Sequence, residues 1–271
     1  QLASMLFQTL SLLRRPRRGS LASRAGCFAA LLKKCFHPRT APPCHNGLQE
    51  PGKGTFPPGY AAKGGCTVPW TPSDTATLPR CPWSATHPLL AVYHDEEWGV
   101  PLTDDRKLFE FLLLESAQAG LSWLTILKKR PGYRRAFLDF DPQAVARMGD
   151  DDVNRLLEDP AIIRNRRKIA GALGNARAFL EVQEHFGSFA RYMWSFVENE
   201  PRQNAWTRPE DLPTTTPEAE RFSADLKRRG FTFVGPTVCY AHMQAVGMVN
   251  DHLVTCFRHA GVARRSGPFL L

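Results

Sequence analysis

The stretch Leu112-Leu113-Leu114-Glu115-Ser116-Ala117-Gln118-Ala119-Gly120-Leu121-Ser122-Trp123 holds one carboxylate among residues that are otherwise apolar, small or uncharged. Read as a helix, Leu108, Phe109, Phe111, Leu112, Leu113 and Leu114 spread around nearly the whole circumference, which is the pattern of a buried helix. A glutamate there is paired, raised in pKa, or held to meet a ligand. Trp123 offers a flat apolar face just beyond Gly120, where the helix is expected to end. A buried carboxylate beside an aromatic plate suits a flat, cationic heteroaromatic ligand. The same residues also fit a core glutamate bonded to backbone groups.

A second set has the chemistry of a metal site. His252 and Cys256 lie four residues apart and share a face if the segment is helical, and Cys81 and His94 stand near the start of the globular sequence. Together they offer two thiolates and two imidazoles, the donor set of a tetrahedral structural zinc. Such a site leaves no position for a catalytic water, so it serves architecture. Against this, Cys256 also reads as a core residue and His94 as a surface one. Around His94, Tyr93 and Trp98 are candidate walls, with Trp123, of an aromatic pocket. The acidic trio Asp95-Glu96-Glu97 reads as a solvated turn. A third feature is Gly230-Phe231-Thr232-Phe233-Val234-Gly235-Pro236-Thr237, between two expected helices. Backbone N–H groups around Gly235, flanked by Val234 and Thr237, could grip a phosphate at the following helix N-terminus, although any tight helix connection can use a glycine. The basic run Arg164-Asn165-Arg166-Arg167-Lys168 is either a wet helix face or a phosphate-neutralising patch.

These residues need helices to carry them. Thr103 or Asp104 caps a helix over about 105–119. Asp141-Pro142 opens one to about 148, Asp150 or Asp151 one to about 157, and Pro160 precedes a long one over about 161–184. Ser188 caps a helix over about 189–198, residues 201–213 read as loop, and Thr216-Pro217 opens a helix closed by Gly230. Helices follow over 237–246 and about 250–259. No stretch alternates convincingly at period two, so the fold class is all-α.

Charge is segregated along the chain. Eleven of the 35 Lys+Arg and two of the 26 Asp+Glu fall in residues 1–80, so that segment carries the whole formal +9 and residues 81–271 carry none. The net charge therefore gives no DNA footprint to the globular part; any such footprint is a local patch. The absence of acids before Glu50 resembles an organelle transit peptide, and the Pro- and Gly-rich stretch that follows reads as linker or disorder. Residues 1–80 are thus expected to be a basic tail, 81–263 the globular domain and 264–271 a C-terminal extension. Seven cysteines without a CxxC pair point to a reducing compartment rather than a disulfide framework. No apolar run approaches the roughly 20 residues needed to span a bilayer, so no membrane partner is expected.

Over about 81–260 the strings YHDEEWGVP, LESAQAGLSW, ILKKRPGYRRAF, GNARAFL, WSFV, LKRRGFTFVGPTVCY and MQAVGMVNDH resemble, in order, the bacterial DNA-3-methyladenine glycosylase I (Tag) family. The resemblance implies an all-α helix–hairpin–helix DNA glycosylase domain, with one structural Zn2+ on Cys81, His94, His252 and Cys256 joining its two ends. It implies a base pocket containing Glu115, with Tyr93 and Trp123 stacking on the flipped base. The expected partner is double-stranded DNA carrying alkylated bases, the reaction is excision of 3-methyladenine in base excision repair, and the expected state is a monomer. Close relatives have a tyrosine three residues before the one matching Tyr93, where this chain has Leu90. The wider superfamily places a base-assisting aspartate where this chain has Asn250, and its strand-cleaving members a lysine where it has Thr237, which implies a monofunctional enzyme. Alkylation at N3 makes adenine cationic and a good leaving group, so a general acid matters less than selecting and extruding the base. The alternatives are a non-catalytic damage-binding module of the same fold and, more distantly, a zinc hydrolase. The expected location is the bacterial cytoplasm with its nucleoid, or a plastid or mitochondrion if the tail is a transit peptide.

Overall fold

In the computed structural model the described residues are 78–264. The expected tail and C-terminal extension therefore lie outside the described residues, save for their edges. The chain runs through a 3-10 turn Pro82–Thr86, then α1 (Pro88–Glu96), α2 (Asp105–Gln118), α3 (Trp123–Ala136), α4 (Pro142–Ala146), α5 (Asp150–Glu158) and α6 (Arg166–Phe186). It continues through α7 (Phe189–Trp194), β1 (Arg202–Gln203), α8 (Pro217–Arg228), α9 (Pro236–Ala245), β2 (Val249–Asn250) and α10 (Phe257–Ala263). The fold is helical; β1 and β2 are a two-residue parallel bridge. Among the described residues no helix is long and apolar enough to cross a membrane.

The central helix is α2, and every residue from Leu108 to Gln118 is buried. Asp104 caps its start by accepting from the Lys107 N–H at 2.8 Å, an Asx cap that satisfies an orphan donor. Asp105, one residue on, accepts from the N–H groups of Phe189 and Ala190, each at 2.8 Å, and so ties α2 to the start of α7. At the other end Gly120 takes φ +78°, and Lys168 donates to the carbonyls of Ala117 (2.9 Å) and Ala119 (2.6 Å). Lys168 therefore caps the C-terminus of α2, where unsatisfied carbonyls attract a cation. It is not part of a wet face.

The elements differ from the sequence expectation in three ways. The long helix begins at Arg166 rather than after Pro160, because Asp159 accepts from the Ala161 N–H and Asn165 from that of Lys168, local turn and cap bonds that outcompete the apolar period. Residues 250–259 are not one helix: Val249–Asn250 pairs with Arg202–Gln203, and α10 starts only at Phe257. Two helices outside the expected spans, α1 and α3, carry Tyr93 and Trp123. Pro131 lies inside α3, and a mid-helix proline breaks the pattern by which helices are recognised.

Candidate active site

Tyr93 and His94 are neighbours near the end of α1, and both are buried. The Tyr93 ring lies 6.3 Å from Phe111 and 5.3 Å from Trp123, measured between centroids. Phe111 precedes Glu115 by one helical turn, so the face of α2 against Tyr93 is the face that carries Glu115. Trp123 is the first residue of α3, fixed by Ser122, whose hydroxyl accepts from the Thr125 N–H at 3.2 Å. Glu115 is 1% exposed. Two aromatic plates thus meet beside the part of α2 that carries the buried Glu115. Leu90, one turn before Tyr93, is buried as well.

Glu115 is not the lone buried carboxylate of α2. Glu110, also 1% exposed, is held by Arg130 (2.8 Å), Arg134 (3.0 Å) and Lys107 (3.0 Å). Burial alone would raise its pKa, but Arg130 and Lys107 keep it below the usual carboxylate range. Arg130 reaches Glu97 with its other two nitrogens at 2.7 and 2.8 Å. Glu97, read from sequence as part of a solvated turn, is therefore a partner in an ion-pair cluster. Its structural role escapes sequence reading because Arg130 is 33 residues away.

The four candidate ligands converge although they do not share a helix. His94 Nε2 and His252 Nδ1 are 3.2 Å apart, Cys256 Sγ lies 3.4 Å from the first and 3.7 Å from the second, and Cys81 Sγ lies 3.7 Å from His252 Nδ1. Zn–S and Zn–N bonds of normal length at tetrahedral angles place donor atoms roughly 3.3–3.8 Å apart, close to these four separations, and all four donor atoms lie within 4.8 Å of one another. The remaining ring nitrogens have partners that fix the tautomer each ligand needs. His94 Nδ1 lies 2.8 Å from Asp95 Oδ1 and His252 Nε2 3.1 Å from the Trp98 carbonyl, so the protons sit there and the facing nitrogens present lone pairs. Both sulfurs accept backbone N–H groups, Cys81 from Leu253 and Cys256 from Arg258. The contact with Cys81 holds the Cys256 thiol down, while the bond to Cys256, and then burial, push the Cys81 thiol up. Burial keeps His252 in the neutral form that binds a metal. The cluster can hold a metal ion.

Trp98, expected as a pocket wall, packs on this cluster, with centroids 4.6 Å from His252 and 5.1 Å from Trp83. Gly99, at φ +78°, shows why: a Cβ there would come within 3.0 Å of His252 Nε2, so the turn after Trp98 closes directly over the ligand. Asp95 is the residue sequence reading missed; adjacency to His94 was its signal. Asn250 donates to Gln203 and to the His259 carbonyl, and so ties β2 to β1 and α10. Its neighbour Asp251 accepts from Asn204, Trp206, Tyr240 and Gln244 at 2.6–2.7 Å.

The hairpin lies between α8 and α9 as expected. Val234 is buried and Gly235 caps α9, followed by Pro236 and the exposed Thr237. Val234 can therefore contribute only backbone to a ligand. Thr237 and Val238 stand in the first turn of α9, where N–H groups have no intrahelical acceptor. Ser116, next to Glu115, donates to the Phe233 carbonyl at 3.4 Å, which links the helix of the buried carboxylate to the hairpin.

The chain is similar to known proteins over most of its described residues. DNA-3-methyladenine glycosylase 1 of Escherichia coli K12 is 50% identical over 184 residues, which are 68% of this chain and 98% of that protein. A crystal structure of 3-methyladenine DNA glycosylase I (TAG) superposes with a TM-score of 0.66 at 50% identity, covering 67% of this chain and all of that one. A structure of the Staphylococcus aureus enzyme, described as the structural basis of 3-methyladenine recognition, gives 0.64 at 39% identity, over 66% of this chain and 95% of that one. The profile of the methyladenine glycosylase family matches residues 83–259, and the chain belongs to that family.

Proposed function

We propose that this chain is a monofunctional DNA-3-methyladenine glycosylase, which extrudes the alkylated base from double-stranded DNA and hydrolyses its N-glycosidic bond. The observation that carries the reading is the convergence of Tyr93, Trp123 and the α2 face bearing Glu115, with Ser116 joining that helix to the hairpin. A flipped base stacks against Tyr93 and Trp123, whose electron-rich faces favour a cationic ring. Glu115, as a carboxylate or as a hydrogen-bond acceptor, favours the cationic base over neutral adenine. When the C1′–N9 bond breaks, its electron pair goes to N9 and cancels the positive charge of the base. Water adds at C1′, loses a proton and leaves an abasic site. The backbone of Val234, Gly235 and Thr237 holds a phosphate and so keeps the duplex in place during extrusion. Thr237, where strand-cleaving enzymes carry a lysine, supports hydrolysis without a lyase step.

The ion held by Cys81, His94, His252 and Cys256 is zinc in this reading. Bound there, it supplies a structural cross-link between the two ends of the domain, with all four positions filled by the chain. Trp98 covers this centre rather than the base. Release of free base from methylated duplex DNA tests the function. Wild type releases 3-methyladenine, and Glu115→Gln loses on the order of 10²-fold or more in rate. Glu115→Gln excising at the wild-type rate would remove Glu115 from the pocket. No release by folded, zinc-loaded wild type would make the protein a damage-binding module of the same fold.

A further inference from the structure

The hairpin is held by side chains from three helices, each bonded to a different one of three consecutive carbonyls. Asn175 of α6 donates from Nδ2 to the Thr232 carbonyl at 3.0 Å, and its Oδ1 accepts from the Thr232 N–H at 2.8 Å and from the Thr232 hydroxyl at 3.4 Å. Ser116 of α2 donates to the Phe233 carbonyl. Ser223 of α8 donates to the Val234 carbonyl at 2.6 Å, which also accepts from the Cys239 thiol at 3.4 Å. Asn175, Ser116 and Ser223 are all buried, so these bonds turn the three carbonyls inward, even at Thr232, which is exposed. Phe233 sits at φ +58°, a strained conformation that persists only where its surroundings over-determine it. Gly171 of α6 supplies the room: a Cβ there would come within 2.7 Å of the Thr232 hydroxyl and 3.1 Å of the Phe233 ring.

We infer that Asn175, Ser116 and Ser223 are positioning residues for the phosphate grip. They sequester the carbonyls of Thr232, Phe233 and Val234, so that the N–H groups of Gly235, Thr237 and Val238 meet an anion with no acceptor beside them. A carbonyl left facing the phosphate would repel it, and a turn free to swing would have to be ordered on binding. The inference rests on the glycosylase reading of the hairpin.

Binding of the full-length, zinc-loaded protein to two duplexes, one unmodified and one carrying a reduced abasic site, tests it beside binding of free 3-methyladenine and thermal unfolding. Asn175→Ala and Ser223→Ala should each weaken both duplexes about tenfold and equally, because a phosphate contact carries no base information. Free-base affinity should stay within about twofold, and the kinetic loss should fall on KM rather than kcat. The double variant should lose less than the product of the single losses, since both release the same phosphate. Ser223→Ala leaves the Val234 carbonyl only the long, weak thiol bond, which spares the fold but no longer holds the turn, and so keeps the test open if Asn175→Ala unfolds. Wild-type affinity for both duplexes in folded Ser223→Ala would overturn the inference alone. Failure of wild type to bind either duplex would overturn the glycosylase reading as well.

Discussion

The Cys/His cluster, or clasp, and the hairpin between α8 and α9 are both held in place by hydrogen bonds, and by opposite means. The clasp joins residues more than 150 positions apart, and its donors are side chains whose spare atoms are fixed by Asp95, the Trp98 carbonyl and backbone N–H groups. The hairpin is eight residues of continuous chain, its proposed phosphate donors are backbone N–H groups, and Asn175, Ser116 and Ser223 hold the carbonyls beside them. Changing a residue of the clasp deletes a donor. Changing a residue that holds the hairpin leaves the donors in place and alters only their direction; only a proline in the turn itself deletes one. Damage to the clasp should therefore cost stability, and damage to the hairpin affinity.

The largest effect that would sharpen this contrast is on the clasp. Cys256→Ala should abolish stoichiometric zinc and lower the unfolding midpoint by roughly 6–12 °C, the equivalent of about 3 kcal/mol in a domain of this size. Metal analysis and calorimetry read it, and a zinc-free wild type of undiminished stability would end the structural-zinc reading. Asp95→Asn keeps all four ligands but weakens the hold on the His94 tautomer, and chelator competition should show zinc affinity reduced about 10–100-fold. In the hairpin, Thr237→Pro removes one N–H from the first turn of α9, where proline is tolerated. It should weaken duplex binding about tenfold with little change in midpoint; an equal loss of stability would break the distinction between the two regions. The effect that vanishes at neutral pH lies on α9, whose last turn accepts from the Gly99 N–H through the Gln244 carbonyl. His242 is fully buried, and burial holds its pKa down at about 3, against an ordinary 6.5. The unfolded chain takes up this proton below about pH 6.5 and the folded one does not. The contribution of His242 is thus intact above that pH and lost progressively as pH falls towards 3, by about 1.4 kcal/mol per unit. Zinc-loaded His242→Leu should show a correspondingly shallower acid decline in a urea titration series.

What could be read from the sequence follows the same division. Glu115 stood out because a charge inside an apolar run is locally visible, and the hairpin because glycine and proline punctuate it. The ligand set was identified from donor chemistry, yet the helix invoked to bring His252 and Cys256 together does not exist, since β2 and the bonds of Asp251 occupy that segment. Lys168 and Glu97 were misread as solvent-facing because their partners, Ala117 and Arg130, are 51 and 33 residues away. Trp98 was grouped with Tyr93 by proximity in sequence, whereas five residues along the end of α1 turn it towards His252. No local pattern announces Asn175, Ser116 or Ser223: each is a small polar residue on a helix, and only the packing of α2, α6 and α8 around one turn gives it a task.

The clasp also sets an order of events during synthesis. His94 is translated 158 residues before His252, an interval of roughly 10–30 s at about 5–20 residues per second. For that time Cys81 and His94 form half a site, and α1, which carries Tyr93, has no closing partner. Tyr93 is thus fixed from the clasp side by nearly the last residues of the domain to be made, and a ribosome that stalls before Cys256 leaves α1 held to α2 and α3 only through contacts such as Arg130 with Glu97 and Glu110.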